Sequence, residues 1–419
     1  MKRVAIIGAG AAGCFCAALL REHAPELAVT VFEGGNRPMA KLAITGGGRC
    51  NLTNDFQGIR SLAQAYPRGE RVMKRALKAF SQEDTIAWFT AHGVPCVLQE
   101  DHCWFPQSQD AMDVVRALQR AMKGADVRLK TPVISIGPAA DGIYFSQRFA
   151  KNQIPSAIAM PTRNSFYVND EEFDYVVVTT GGAPKGLPFL EDLGLELVPP
   201  VPSLFTFNIN DAGLKALMGL VVEASVSLAG TAFKAQGPLL ITDWGLSGPA
   251  TLKLSSYAAR HLAETGYTGT VLVNWLDSSE ESARDALQET AARNPQKLVS
   301  STHLLPSRLW NHLLAKAGLR EDLRWAELGS KGLNRLTAVL TGDSYPLTGK
   351  SRFREEFVTA GGVALSNIQL NTLEARQYPG LYFAGEVLDI DAITGGFNLQ
   401  AAWSTGYVCA TSIMKSSVE

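Results

Sequence analysis

The chain has no CxxC pair, no HExxH, no clustered histidines and no second glycine fingerprint, and each absence removes a class of chemistry. Its six cysteines, Cys14, Cys16, Cys50, Cys96, Cys103 and Cys409, show neither a redox spacing nor a disulfide framework. The six histidines are scattered, without metal-ligand spacing. No GxSxG elbow supports a hydrolase. An excess of one charge is missing too. The 39 basic residues meet 40 acidic ones, a net charge of −1. That balance excludes the broad basic surface of a nucleic-acid-coating protein and leaves only a local basic run at Arg60–Lys78. No nucleic acid is expected as a partner. The apolar run Val4–Ile7 is too short for a signal peptide. Residues Ala392–Met414 carry no charge, but their Thr, Ser, Asn and Gln are too polar for a lipid-facing helix. The expectation is a reduced, cytoplasmic protein with no membrane span.

Glycine is what the chain has in surplus: 38 of 419 residues, above the typical share of about 7%. The surplus has no collagen-like period, so it lies in local clusters. The first follows Val4-Ala5-Ile6-Ile7, a β-branched run suited to a buried parallel strand. Gly8-Ala9-Gly10-Ala11-Ala12-Gly13 comes next, then a helix to about His23, a second strand Leu27–Phe32, and Glu33, 20 residues after Gly13. This is the dinucleotide fingerprint in its full setting of strand, turn, helix, strand and acid. Gly8 permits the tight turn, Gly10 lets a pyrophosphate approach the backbone, and Gly13 lets helix and strand pack closely. The helix N-terminus offers free N–H groups to the phosphates, and Glu33 can accept from ribose hydroxyls. FAD and NAD are not separated by this fingerprint alone.

A second cluster is Thr45-Gly46-Gly47-Gly48-Arg49-Cys50-Asn51. Three successive glycines cost folding entropy and make sense where backbone passes close to a ligand, or in a mobile surface loop. Arg49 can pair with a pyrophosphate, and Asn51 can bond a heterocycle edge. A third lies near the C-terminus. There the strand-like Leu381-Tyr382-Phe383 leads to Gly385 and Glu386, and Gly395-Gly396 opens the uncharged helix.

Together these segments resemble the HI0933-like family of FAD-dependent oxidoreductases over most of the chain. The resemblance rests on GAGAAG at 8–13, TGGGRCNLTN at 45–54, FPQSQDAMDVV at 105–115, TTGG at 179–182, GLSGPATL at 245–252, VTAGGV at 358–363 and YFAGEVLDIDAITGGFNLQAAWSTG at 382–406. It implies a Rossmann-like α/β fold of the two-dinucleotide-binding-domain type, interrupted by an inserted β-barrel-like and helical domain. Its segments fall at 1–195 (FAD), 196–279 (barrel), 280–342 (helical) and 343–419 (FAD). The prolines Pro199, Pro200 and Pro202 read as the linker into the insert. The strands-then-helices order of the insert argues against another doubly wound domain.

The resemblance also assigns residues. Gly8, Gly10, Ala11, Ala12, Gly13 and Glu33 match the adenosine and pyrophosphate motif, and Lys41, Thr45, Gly47, Gly48, Arg49, Cys50 and Asn51 match the loop that follows. Val133, in a strand-like Thr131–Ile136 stretch, sits where such proteins contact adenine through backbone groups. Thr180 and Gly181 follow a strand at Asp174–Thr179. Gly385, Glu386, Asp389, Gly395, Gly396, Phe397, Asn398 and Leu399 match the flavin end. Two departures stand out. The turn at Ala183–Gly186 is short, and Asp243 stands where the family commonly has a histidine.

FAD carries the hard chemistry, and the protein orients substrate and sets electrostatics. A helix opening near Gly395–Gly396 can stabilise the negative charge of a reduced flavin without any catalytic side chain. The side-chain candidates for catalysis are Asp243 and Cys50. Cys50 beside Arg49 is either a thiol of lowered pKa or a small packing residue. Asp243 is either an acid/base or amine-binding group, or a turn residue before Gly245. Trp104, Phe105 and Trp244 either wall a pocket or fill the core, and His102 is either a proton donor or a surface residue. The expected function is FAD-dependent oxidation or reduction of a small organic substrate, with oxygen or transiently bound NAD(P)H as the other redox partner. The alternative is a flavin-binding protein with a regulatory or RNA-modification-related role and no turnover alone. Oligomeric state is not legible.

Overall fold

The computed structural model describes residues 1–139, 165–182, 187–350 and 358–418. The expected loop at Ala150–Asn164 and the short turn at Ala183–Gly186 lie outside the described residues. The chain divides into two compact units, Met1–Val201 with Val358–Glu419, and Pro202–Phe357.

The first unit is built on a five-stranded sheet whose order is Leu381–Phe383, Tyr175–Val178, β1 (Arg3–Ile7), β2 (Ala28–Phe32) and Asp126–Arg128. All four pairings are parallel. Residues Val4 to Ile7 of β1 are buried, as a strand covered on both faces requires. Helix α1 (Ala11–His23) follows β1 and buries every residue from Ala12 to Leu20. The C-terminal helix, Phe397–Val418, uncharged as far as Met414, packs against α1. Gly406 makes the approach possible, since a Cβ there would lie 3.0 Å from the Ala12 carbonyl oxygen. Two helices flank it, Glu70–Ala79 and Gln82–Ala91. The second opens on a reciprocal capping box between Ser81 and Asp84.

Two local expectations are corrected. The proline-rich segment is not a free linker: Leu197–Ser203 is a strand paired in a two-stranded sheet with Val358–Val363. A two-stranded ribbon has only edges, where missing proline N–H groups are tolerated. The Thr131–Ile136 stretch is irregular as far as Ser135, and the strand there is Ile136–Pro138. Thr131 N–H donates instead to the Glu33 carbonyl at 2.8 Å, and Lys130 N–H to that of Gly35 at 2.8 Å. Those bonds tie the stretch to the loop leaving β2.

The second unit is a closed barrel in the order Phe207–Ile209, Gly245–Ser247, Lys234–Ile241, Val221–Leu228, Gly269–Asn274 and Asp343–Lys350. Helices Glu280–Arg293, Ser307–Lys316 and Gly329–Gly342 follow the fifth barrel strand in the chain. Residues 343–350 therefore complete the barrel by pairing with Phe207–Ile209, and the first unit resumes at Val358.

Candidate functional site

The cradle at the end of β1 separates two kinds of glycine. Gly8 turns the chain at φ +107°, and a Cβ there would lie 2.5 Å from the Thr179 carbonyl oxygen. At Gly13 it would lie 2.1 Å from the Gly8 oxygen and 2.5 Å from Thr179 Oγ1. Both serve close packing. Gly10 meets nothing nearer than 4.0 Å, so its bare face is open at the N-terminus of α1. Thr179 knits the turn, donating from Oγ1 to the carbonyls of Ile7 and Gly8. Next to it, the hydroxyl of Thr180 is buried with no hydrogen-bond partner among the described residues. An orphaned hydroxyl beside an open glycine face fits a polar ligand able to supply the missing bond, such as the phosphate-ribitol part of FAD.

Glu33 is held at the end of β2 by two backbone donors, Ala9 N–H at 3.0 Å and Gly35 N–H at 2.6 Å. A carboxylate has acceptor capacity beyond these two bonds, which suits ribose hydroxyls. Val133, half-buried, follows Pro132, which packs 3.7 Å from the Cβ position of Gly34.

In the triple-glycine loop, Gly46, Gly47 and Gly48 take φ of +62°, +69° and +83°. Three left-handed residues in succession explain the sequence directly, because side chains resist that conformation. Cβ atoms on Gly47 or Gly48 would meet nothing within 4 Å. Arg49 is exposed and lies over the Phe105 ring at 4.5 Å. Cys50, also left-handed at φ +62°, is fully buried. Burial pushes its thiol up, which goes against the lowered-pKa reading and favours the packing residue. Thr45 Oγ1 donates to the Lys41 carbonyl at 2.8 Å, and Lys41 Nζ faces Glu386 Oε2 at 3.8 Å.

The segments expected to hold the flavin end meet these within the same unit. Glu386 Oε1 accepts from Thr359 N–H at 2.7 Å, and its carboxylate lies against Gly181 and Gly182. Gly385 N–H donates to Thr405 Oγ1 at 2.9 Å, and its Cβ position is 3.0 Å from Ala12. Asp389, half-buried, donates its N–H to the Val363 carbonyl. Asn398 clamps Ala392 in both directions, at 2.9 and 3.0 Å. With its amide oriented to suit its neighbours, Asn51 accepts from Gly396 N–H at 3.2 Å and donates to the Thr53 carbonyl at 3.0 Å. Asn54 donates to the Gly395 carbonyl at 3.0 Å. Phe397 is buried edge-on to Phe56 and Tyr66, and Leu399 is half-buried.

Asp243 belongs to the other unit. It is exposed in the turn between Lys234–Ile241 and Gly245–Ser247, where Gly245 N–H donates to Thr242 Oγ1 at 3.1 Å. Trp244 donates its indole N–H to Thr206 there. In the first unit, Phe105 is core, Trp104 is half-buried, and His102 is exposed beside Asp55 at 3.0 Å.

Sequence reasoning missed the supports. Gln400 Oε1 accepts from Thr53 Oγ1 at 2.6 Å and Thr85 Oγ1 at 2.9 Å, while its Nε2 donates to Ser404 and the Ser81 carbonyl. Arg68 pairs with the buried Asp391, and Tyr66 donates to the Phe397 carbonyl at 2.9 Å. The one available signal was the polarity of Gln400, Ser404 and Thr405 within a helix otherwise mostly apolar. Among the described residues no group of three or more potential ligands could hold a metal ion, and no helix is long and apolar enough to cross a membrane.

A family model described as the HI0933-like protein Rossmann domain matches residues 2–412. A ribosomal RNA dihydrouridine synthase of Escherichia coli is 30% identical over 98% of this chain and 97% of its own length. A 3-dehydro-bile acid delta(4,6)-reductase of Clostridium scindens is 27% identical over 97% and 98%. Among solved structures, the 3-ketosteroid delta1-dehydrogenase of Sterolibacterium denitrificans is 12% identical, covers 99% of this chain and 100% of its own, and has a TM-score of 0.48.

Proposed function

The chain belongs to the HI0933-like family and is a flavin-dependent oxidoreductase, and from that premise we propose that it saturates a carbon–carbon double bond conjugated to a carbonyl, with NAD(P)H as electron donor. One observation carries this reading. Two full-length relatives with unrelated substrates, a uridine in ribosomal RNA and a 3-dehydro bile acid, bear names that describe the same bond change. The chemistry FAD supplies when bound is hydride transfer between the nicotinamide and that bond.

The protein's own part is binding and orientation. The N-terminus of α1, opened by Gly10, holds phosphate through backbone N–H groups, and Thr180 contributes its hydroxyl. Glu33 takes the adenosine ribose. Lys41, beside Glu386, places a positive charge next to the Gly181–Gly182 turn. Asn51 and Asn54 fix Gly395 and Gly396, which sets the entry to the C-terminal helix and aims its N-terminus. Cys50 holds its proton and packs.

Anaerobic mixing of the flavin-loaded protein with NADH or NADPH should bleach the visible flavin band. Adding a cyclic enone or uridine should restore it, with a product heavier by the mass of dihydrogen. Reoxidation by oxygen alone, with peroxide as the only product, would identify an oxidase and defeat the proposal. A second reading places the conjugated bond in a uridine within an RNA strand, and the 30% identity to the ribosomal RNA enzyme favours it.

A further inference from the structure

We propose that the exposed face of helix Glu70–Ala79 docks the phosphate backbone of an RNA segment and so delivers a base toward the flavin end. This rests on the second reading above. Arg71, Lys74, Arg75 and Lys78 are all exposed, and their spacing puts them on one face of the helix. The stripe is about 10 Å long at 1.5 Å per residue. Four pairs in it, Arg71–Lys74, Arg71–Arg75, Lys74–Lys78 and Arg75–Lys78, set like charges at i,i+3 or i,i+4, an arrangement that works against the helix. Among the described residues none of the four forms an ion pair, and Arg75 donates a hydrogen bond to Asn371 at 3.1 Å. The helix's single acid, Glu70, sits in its first turn.

Three arginines on other helices are neutralised by acids of their own helix or its cap. Arg116 pairs with Asp113 and Asp110, Arg284 with Glu280, and Arg293 with Glu289. In a chain of net charge −1, four such cations on one ten-residue helix are a local concentration. The opposite face of the same helix is spent in the core, with Val72, Met73 and Ala76 buried. No apolar face remains to enter a lipid headgroup layer, and no exposed aromatic residue on the helix offers an anchor for a protein partner. A polyanion read through its phosphates suits the face that is left.

The helix is also tied to the flavin end. Gly69 is its N-cap, and a Cβ there would lie 2.5 Å from Ile390 Cγ1. The neighbouring Arg68 pairs with Asp391, and Ile393 N–H donates to the Ala65 carbonyl at 2.9 Å. The docking face thus begins where the loop leading to Gly395 and Gly396 is anchored.

The test uses the flavin-loaded full chain, a fluorescent uridine-containing RNA stem-loop, and salt from about 50 to about 200 mM. Three or four phosphate contacts give a log–log salt slope of about −2 to −3, a loss of roughly thirtyfold across that range. Arg71→Gln, Lys74→Gln, Arg75→Gln and Lys78→Gln together should weaken binding at least tenfold and flatten the slope, with flavin content and NAD(P)H bleaching unchanged. Arg116→Gln with Arg120→Gln should leave binding as it was. Undiminished binding by the fourfold variant, absence of binding by the parent protein, or a preference for phosphatidylserine vesicles or an acidic peptide would each overturn the proposal. Reduction of a free enone without RNA binding defeats only the docking face. RNA binding through the stripe without reduction of any conjugated bond defeats only the proposed reaction.

Discussion

Arg68 lies across the carboxylate of Asp391 in a two-pronged pair, Nε to Oδ1 and Nη2 to Oδ2. Asp391 is fully buried, and the Arg68 side chain is only 12% exposed. The pair joins the segment before helix Glu70–Ala79 to the loop between Asp389 and Gly395. Removing one partner of a buried pair strands the other charge, at a cost of about 3–5 kcal/mol. Asp391→Ala should therefore lower unfolding stability by about that amount, and it should speed FAD release by loosening the loop. Denaturant titration of the apoprotein and flavin release on dilution measure the two effects separately. Unchanged stability would show that the pair contributes nothing.

Gly10 and Gly13 should respond to alanine in opposite ways. At Gly13 the new methyl would meet the Gly8 oxygen at 2.1 Å, backbone that cannot yield, so Gly13→Ala should destabilise the apoprotein. At Gly10 the nearest atom is 4.0 Å away, and φ of −83° is open to any residue. Gly10→Ala should fold with parental stability yet bind FAD at least tenfold more weakly, because only the ligand needs that space. Flavin fluorescence titration beside thermal unfolding decides it, and full FAD affinity in Gly10→Ala would remove Gly10 from the binding surface.

This division between packing glycine and ligand glycine follows the reading of the fingerprint, in which Gly13 serves packing and Gly10 faces the ligand; only the distances needed the structure. Strand, helix and acid could be read because β1, α1 and β2 each bury a local, regular pattern. The flavin-end segments were legible through their motifs. Contacts between residues far apart in the chain were not. Gln400 meets Thr53 across 347 positions, and nothing local to either residue announces it. Cys50 shows the same limit: its neighbour Arg49 left an acidic thiol open beside a packing residue, and tertiary burial, which pushes the thiol up, favours packing. The prolines at 199, 200 and 202 argued for a linker, and pairing with Val358–Val363 made them a strand.

The Gln400 contacts can be tested by coupling. In Gln400→Leu, the buried Thr53 hydroxyl loses its 2.6 Å acceptor, while Thr85 keeps the Ser81 carbonyl at 3.1 Å. A stranded buried donor costs about 1–3 kcal/mol. Thr53→Val in the same chain removes that donor, so the double variant should lose less stability than the two single losses added together. Strict additivity in denaturant unfolding would show that the two side chains do not support one another.

The buried thiols set an alkaline limit. Burial raises Cys14 and Cys16 from 9.0 to about 12, with Glu33 adding to the effect at Cys14. Between those values the unfolded chain has released the two protons and the folded chain has not. Their contribution to stability is therefore complete below pH 9 and declines as pH rises toward 12. Once the unfolded thiols are ionised, two such groups give a slope of about −3 kcal/mol per pH unit. Urea midpoints should fall from pH 9 to pH 11 in the parent protein. In Cys14→Ala with Cys16→Ala, small substitutions within α1, the fall should be shallower by about that slope. Equal slopes in the two proteins would mean that these thiols ionise as readily folded as unfolded.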